Sequence, residues 1–263
     1  EALRWPDAKP LSATLRREGE RWFLSVVVQL AEVSQSMRVE NQDAVGIDFG
    51  LSTAVTLSTG EKLDSPKPLR RLLGVLARRQ RRLSRKVKGS NNRSKARARV
   101  ARLFWGIKQV RYDWQHKLTT MLARRFGVVC LEDLNVRGMM SNHCLARAIG
   151  DIGWYEIARQ LDYKTRTIRI DRWFPSSKTC SGCSFVMDKL PLDVRKWTCP
   201  HCGTIQDRDV NAAKNILKEG LWTTASCAES NACGDGSAGS DLHSHRETAV
   251  DEAGIDLSRL IQV

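Results

Sequence analysis

Four of the eight cysteines in this chain fall in two pairs whose spacing is typical of a metal site. Each pair is a C-x2-C knuckle, and the four residues are Cys180, Cys183, Cys199 and Cys202. Two knuckles direct four thiolates towards one centre and complete the tetrahedral shell of a structural zinc ion, so we expect one zinc per chain. A closed shell leaves no position for a substrate, and this zinc is therefore not expected to be catalytic. The alternatives are disulfides, which are unexpected in an intracellular chain, and a redox pair, which needs a single C-x-x-C.

Three acidic residues stand where they could hold a second kind of metal. Asp48 and Glu132 each close an apolar, strand-like run, and Asp209 begins a helix-like segment just past the cysteines. Acids at the ends of strands can gather at one rim of a sheet, where they repel one another unless divalent cations neutralise them. Such a cluster can hold two Mg2+ ions about 3.5–4 Å apart for in-line attack on a phosphodiester, with Mn2+ able to substitute.

Each acid also has a simpler interpretation when it is taken alone. Asp48 could be a turn residue, Glu132 a solvated strand end and Asp209 a helix cap. Asp133 is the alternative ligand if the strand ends one residue later, and Asp207 is the alternative to Asp209.

The chain is strongly basic, and its positive charge is concentrated. Lys and Arg number 43 against 29 acids, which gives a net charge of +14 and favours a polyanionic partner, either nucleic acid or an anionic membrane surface. Residues 70–102 hold 14 Lys or Arg and no acid, whereas a merely solvated helix would interleave Glu with Lys. No apolar run reaches the roughly 18 residues of a membrane span, so nucleic-acid contact is favoured. The candidate contact residues are Arg78, Arg79, Arg81, Arg82, Arg85, Lys86, Lys88, Arg93, Lys95, Arg97 and Arg99.

The apolar pattern predicts an α/β fold with a mixed sheet flanked by helices. Leucines from 69 to 83 recur at helical spacing, Gly89 begins a break, and a second apolar stripe from Val100 to Leu122 predicts another helix. The other predicted elements are strands at 22–29, 44–48, 53–58, 127–132 and 167–174, and a helix at about 152–164.

Five motifs, in order, carry a family resemblance. They are Gly46-Ile-Asp-Phe-Gly50, Val129-Cys-Leu-Glu-Asp-Leu134, Thr179-Cys-Ser-x-Cys183, Cys199-Pro-x-Cys-Gly203 and Asp207-Arg-Asp-x-Asn-Ala-Ala-x-Asn215. From Trp22 to Leu217 the chain resembles TnpB, the accessory "transposase" of bacterial insertion sequences and a relative of the type V CRISPR effectors. Ser184 stands where the family usually has glycine after the first knuckle.

The resemblance implies an RNase H-like (RuvC-type) nuclease domain with a zinc ribbon inserted before its last helix. It implies that Asp48, Glu132 and Asp209 hold the catalytic magnesium ions, and that the activity is RNA-guided cleavage of DNA. The implied partners are a guide RNA from the transposon end and a target DNA, whose heteroduplex the basic helices would contact. It also implies a protein of the bacterial cytoplasm that is associated with the nucleoid, and it leaves self-association open.

The alternative function is a non-catalytic zinc-ribbon nucleic-acid-binding protein, either repressor-like or an accessory factor of transposition. The acids discriminate between the two functions, because a pure binder gains nothing by gathering negative charge where DNA must pass.

The expected domain order follows from the resemblance. Residues 1–42 would end an N-terminal oligonucleotide-binding (wedge-like) barrel, and 43–174 would form the first part of the RuvC-like domain, including basic helices at 69–125. Residues 175–206 would be the zinc ribbon, 207–222 the last RuvC-like segment and 223–263 a flexible acidic tail. Forty-seven residues precede Asp48, too few for the barrel and helical lobe of the family. We therefore expect a fragment that nicks DNA without sequence preference at best and lacks guided cleavage.

Overall fold

Strands and helices of this chain are arranged around a five-stranded sheet. The computed structural model describes residues 9–18, 21–29, 43–191 and 193–230, and side chains as far as Thr224. The elements in chain order are β1 (Lys9–Glu18), β2 (Arg21–Gln29), β3 (Ala44–Phe49), β4 (Val55–Leu57), β5 (Lys62–Leu63), α1 (Pro68–Ser84), α2 (Asn91–Arg125), β6 (Val128–Glu132), α3 (Val136–Met139), α4 (His143–Ile152), α5 (Trp154–Lys164), β7 (Arg166–Ile170), β8 (Lys196–Thr198), β9 (Ile205–Asp207) and α6 (Arg208–Ser230).

The chain divides into two compact units. A helical unit takes the described residues within 1–43, 65–127 and 156–165, and a sheet unit takes those within 44–64, 128–155 and 166–263.

The sheet unit contains a mixed sheet with the strand order β5-β4-β3-β6-β7. Strand β6 lies parallel to both β3 and β7, whereas β4 is antiparallel to β3 and β5. The central residues of β6, Val129 to Leu131, are fully buried, as expected for a continuously apolar strand covered on both faces. Ile47 lies opposite Leu131, so the next residues, Asp48 and Glu132, end their parallel strands at the same edge of the sheet.

Helix α6 lies against β3 and β6, and two glycines permit this close approach. A Cβ on Gly46 of β3 would lie 2.0 Å from the carbonyl oxygen of Ala213, and a Cβ on Gly220 would lie 2.6 Å from Sγ of Cys130. No larger residue fits at either position without moving the helix. This packing matters for the site because Asp209 lies one turn before Ala213 and Asp48 lies two residues beyond Gly46.

The helical unit is built on α1 and α2, which pack together through leucine, valine and isoleucine side chains. The predicted break between them is confirmed, since Gly89 has a φ of +83° and the hydroxyl of Ser90 caps α2 by accepting from the amide of Arg93 at 3.2 Å. Strands β1 and β2 form an antiparallel pair in this unit, and the guanidinium of Arg21 lies 3.9 Å from the ring centre of Trp105.

Several element boundaries differ from the sequence-based expectation. The helix expected from 152 begins at Trp154, because Gly153 adopts a φ of +75° and ends α4. The strand expected at 167–174 ends at Ile170, since Asp171 starts a turn in which its carboxylate accepts from the amide of Trp173 at 2.7 Å. The strand expected at 53–58 is limited to Val55–Leu57, and β5, α3 and α4 were not expected.

The last helix of the chain extends beyond the domain boundary expected at residue 222. Helix α6 continues to Ser230, so residues 223–230, which the sequence assigned to the acidic tail, are helical. The rest of that tail and residues 1–8 and 30–42 of the expected barrel end lie outside the described residues. Within the part of the chain that the structure describes, no helix is both long enough and apolar enough to cross a membrane.

Candidate active site and metal centre

The four predicted cysteine ligands converge on one point. Their sulfur atoms all lie within 4.8 Å of one another. Sγ of Cys180 is 3.7 Å from that of Cys202, and Sγ of Cys183 is 3.6 Å from that of Cys199. A zinc ion with Zn–S bonds of about 2.3 Å requires edges of about 3.8 Å, whereas a disulfide brings its sulfurs to about 2.05 Å. The geometry therefore fits a four-thiolate zinc site and excludes disulfide pairing.

The two knuckles share one backbone fold. In each, the amide that follows the knuckle donates back to the carbonyl of its first cysteine: Ser184 to Cys180 at 2.8 Å, and Gly203 to Cys199 at 2.9 Å. Both donors have left-handed backbones, with φ of +63° at Ser184 and +72° at Gly203. Ser184 therefore accepts a conformation that normally favours glycine, at the position where the family usually has one.

Two buried asparagines of α6 tie the first knuckle to this helix. The side-chain amide of Asn211 donates to the carbonyl of Thr179 at 2.7 Å and its oxygen accepts from the amide of Ser181 at 2.8 Å. Asn215 donates to the carbonyl of Ser176 at 2.7 Å. The ribbon and the helix that carries Asp209 are thus held together by hydrogen bonds between buried polar groups.

Asp48 and its two predicted partners affect one another electrostatically. Burial, and then the negative charges of Glu132 and Asp209, raise the pKa of Asp48 to about 7, while Arg208 and Arg195 oppose the shift. A half-buried carboxyl group that is repelled by two acids is a site where a divalent cation would remove repulsion. The donor set therefore fits Mg2+, which prefers carboxylate oxygens.

Glu132 is oriented by a residue that the sequence analysis did not single out. The hydroxyl of Ser176 donates to Oε1 of Glu132 at 2.6 Å. Burial raises the pKa of Glu132, and this hydrogen bond opposes the rise because it stabilises the charged form. No spacing rule links residues 44 positions apart, so only the folded chain reveals the contact.

Asp209 lies in the first turn of α6 and is held by a cation. Nη1 of Arg195 donates to Oδ1 of Asp209 at 3.1 Å. The helix-cap role considered for Asp209 belongs instead to Asp207, whose Oδ1 accepts from the amide of Val210 at 3.2 Å. Asp207 also pairs with Lys62 at 2.8 Å. Asp207 therefore caps α6 and pairs with Lys62, so Asp209 is not needed as the helix cap.

The alternative ligand Asp133 points to other partners. Its carboxylate pairs with Arg172 and lies 3.8 Å from Arg169.

Among the residues that the structure describes, the four cysteines form the one group of three or more potential ligands already close enough for a metal ion, and the three acids do not form such a group.

Two family models and several named proteins match this chain. Residues 25–143 match a family model described as "Probable transposase", and residues 154–216 match one described as "Cas12f1-like, TNB domain". A Streptomyces pristinaespiralis protein named "Putative RNA-guided DNA endonuclease" is 48% identical over 235 residues, which cover 87% of this chain and 56% of that protein. The Escherichia coli protein "Putative RNA-guided DNA endonuclease InsQ" is 31% identical over 83% of this chain and 58% of its own length. A "TnpB-like protein" of Acanthamoeba polyphaga mimivirus is 25% identical over 69% of this chain and 38% of its own length.

The chain is similar in sequence to proteins of the TnpB family.

A solved structure shares the fold of this chain. The protein of a "Cas12f1-sgRNA-target DNA complex" superposes with a TM-score of 0.55 at 16% identity, over 81% of this chain and 46% of that one. The chain spans about half the length of the curated relatives that it matches.

The basic residues predicted to contact nucleic acid lie on α1, α2 and the turn between them. Several line a cavity of about 420 Å3 in the helical unit: Arg82, Arg85, Lys86, Lys95 and Arg99, together with Asn92 and Ala96. Two others bond to backbone instead, since Arg79 donates to the carbonyl of Arg99 and Arg93 to that of Lys86, both at 3.0 Å. A concave surface lined by cations fits phosphate groups.

Proposed function

We propose that this chain contains the RuvC-like (RNase H-like) nuclease part of an RNA-guided DNA endonuclease, and that it hydrolyses DNA phosphodiesters with two Mg2+ ions. The observation that carries the proposal is the Asp48 carboxyl group, half-buried and repelled by the charges of two further acids on separate elements. Maintaining three acids in mutual repulsion costs stability, which a bound cation would restore.

In this proposal the carboxylates of Asp48, Glu132 and Asp209 would hold the two Mg2+ ions. When bound, the metals would supply Lewis-acid activation of water and stabilise charge on the leaving 3′ oxygen. Burial and neighbouring acids raise the pKa of Asp48 to about 7, so its deprotonated form would be available to a cation above that pH. The carboxylate of Asp209 accepts a hydrogen bond from Arg195 at 3.1 Å. Ser176 holds Glu132 in one orientation throughout.

The zinc ion has a structural part in the proposal. One ion would be held in a closed shell by Cys180, Cys183, Cys199 and Cys202. Asn211 of α6 donates a hydrogen bond to the backbone of the ribbon and so fixes the helix relative to it. The domain bounds given above for the barrel end, nuclease segments, ribbon and tail are part of the same proposal.

Guide RNA from the transposon end and target DNA are the proposed partners, and the nucleoid is the proposed place of action. The names of the relatives and the components of the Cas12f1 complex support this choice. Self-association stays a prediction. The expectation that these 263 residues nick DNA but do not perform guided cleavage also stays a prediction. Incubating the chain with guide RNA and a matched DNA duplex would test it.

A second candidate, the non-catalytic nucleic-acid-binding protein, is favoured by one observation. Asp209 is paired with Arg195, and an acid neutralised in this way could serve structure alone.

Cleavage of 5′-labelled single-stranded DNA by the zinc-loaded chain, with Mg2+ or with EDTA, decides between the two. We expect cutting in Mg2+ only, and its loss in Asp48→Asn and Asp209→Asn with DNA affinity retained. Asp113→Asn, which removes an exposed acid of α2 paired with Lys117, is the matched control and should cut normally. Inert DNA in every lane, with binding intact, would overturn the nuclease and support the binder.

A further inference from the structure

A short loop between β7 and the ribbon presents a bare aromatic ring next to the candidate active site. We call residues 171–176 the rim loop, because they run from the end of β7 to Ser176, whose hydroxyl bonds Glu132. Trp173 of this loop is 84% exposed, more than any other large hydrophobic side chain among the described residues.

The rim loop is fixed on both sides of Trp173. Before it, Arg172 pairs with Asp133, and the carboxylate of Asp171 accepts from the amide of Trp173 at 2.7 Å. After it, Phe174 packs against the cluster of Cys130, Ile170 and Ile216. The backbone is thus anchored while the indole between the anchors is left in solvent.

An exposed indole on an anchored loop is costly for a free protein. Leaving a large aromatic surface in water forgoes the free energy of its burial, and the contacts on both sides of Trp173 hold the loop that carries the ring. A flat aromatic ring held rigidly is, however, a favourable surface for stacking a nucleobase.

We propose that Trp173 is a stacking platform for a nucleobase of the DNA strand that is cut. The proposal rests on the proposed function, because it takes the acids beside the rim loop as the cleavage site. It also specifies the substrate: bases in a duplex already stack on their neighbours, so the strand must be single-stranded where it meets Trp173.

Binding measurements test the platform without relying on cleavage. The probes are a labelled single-stranded DNA of about 12 nucleotides, a length within the site sizes of single-strand binders, and a fully abasic strand of equal length, which keeps the phosphates and lacks the bases. In EDTA, Trp173→Ala should weaken binding of the normal strand by about 5- to 150-fold, the range expected for stacking of one base, and leave the abasic strand unaffected. Trp173→Phe should retain most of the affinity.

Trp222→Ala is the matched control. Trp222 is 73% exposed and lies on α6, about 20 Å along the helix from Asp209. Its loss should change single-strand affinity less than twofold. An equal loss in both variants, or none in Trp173→Ala, would overturn the platform.

The outcomes separate this inference from the proposed function. If the chain never cuts but Trp173→Ala loses base-dependent affinity, base stacking on Trp173 stands, and its assignment to a cleaved strand falls with the nuclease. If the chain cuts while Trp173→Ala binds and cuts normally, the nuclease stands and the platform falls.

Discussion

At Asp48, burial and the negative charges of neighbouring acids together raise the pKa of a carboxyl group. Its folded pKa of about 7 lies above the ordinary value of 3.8, so the folded protein holds this proton more tightly than the unfolded chain does. The contribution of Asp48 to stability is therefore greatest below about pH 4 and declines as the pH rises towards 7. On the proposed function, a divalent cation would hold Asp48 in its deprotonated form.

We expect the metal-free protein to show an Asp carboxyl that titrates near pH 7 by 13C NMR, and to show a shift of that titration to lower pH in Mg2+. Asp48→Asn should raise the melting temperature of the metal-free protein at about pH 8, because it removes a repelled charge. A carboxyl that titrates near its ordinary pKa of 3.8 without metal would contradict the electrostatic description of the site.

Substitution of Ser176 tests the role of Glu132, because the hydroxyl of Ser176 donates a hydrogen bond to this carboxylate. Ser176→Ala should lower kcat by roughly 10- to 100-fold, the equivalent of a hydrogen bond to a charged group. Because the lost bond had lowered the pKa of Glu132, the acid limb of the pH–rate profile should move to higher pH. Ser84→Ala, which removes an exposed hydroxyl on α1, is the control. An unchanged pH profile would show that Ser176 only fills space.

Ser184 gives a prediction for the ribbon as an element. Its left-handed backbone costs a non-glycine residue roughly 1–2 kcal/mol, and Gly203 occupies the equivalent turn without that cost. Ser184→Gly should therefore stabilise the ribbon by up to about 1 kcal/mol, after loss of the exposed bond from Lys218. Zinc release to a chelator should slow, from a starting content of one zinc per chain by elemental analysis. Faster release would mean that the bond from Lys218 outweighs the backbone strain.

The basic helices should make the affinity for nucleic acid depend on salt concentration. Replacing Arg82, Arg85, Lys95 and Arg99 by Gln removes the cations around one cavity. The slope of log K against log salt should shrink by up to about 0.9 per lost phosphate contact on duplex DNA. Lys117→Gln, on the same helix as Lys95 but paired with Asp113, should leave the slope unchanged. Equal slopes for all proteins would show that this surface is only solvated.

Elements with a local signal could be predicted, and contacts between distant elements could not. Periodicity located α1, α2 and β6, and spacing alone grouped the cysteines. The exchange of roles between Asp207 and Asp209 depends on where Lys62 and Arg195 lie in the fold, and the sequence carries no sign of that. The early end of β7 similarly depends on one hydrogen bond within the turn at Asp171.

At the scale of the whole molecule, positive charge and acids are divided between units. The basic helices belong to the helical unit, and the three acids and the ribbon belong to the sheet unit. Substitutions of the basic residues should therefore add to those of the acids in their effect on stability, because sites without shared partners act independently.

The contact between Gly46 and Ala213 has a consequence for biosynthesis. The ribosome makes Asp48 and Glu132 early, whereas Asp209 and the helix that seats against Gly46 emerge only after both cysteine knuckles. On the proposed function, a nascent chain or the product of a truncated message holds two of the three acids and lacks the third. On that function, such a product would keep the basic helices proposed to bind nucleic acid and would lack one of the acids proposed for cleavage. Cutting would then require the segment that is made after the ribbon.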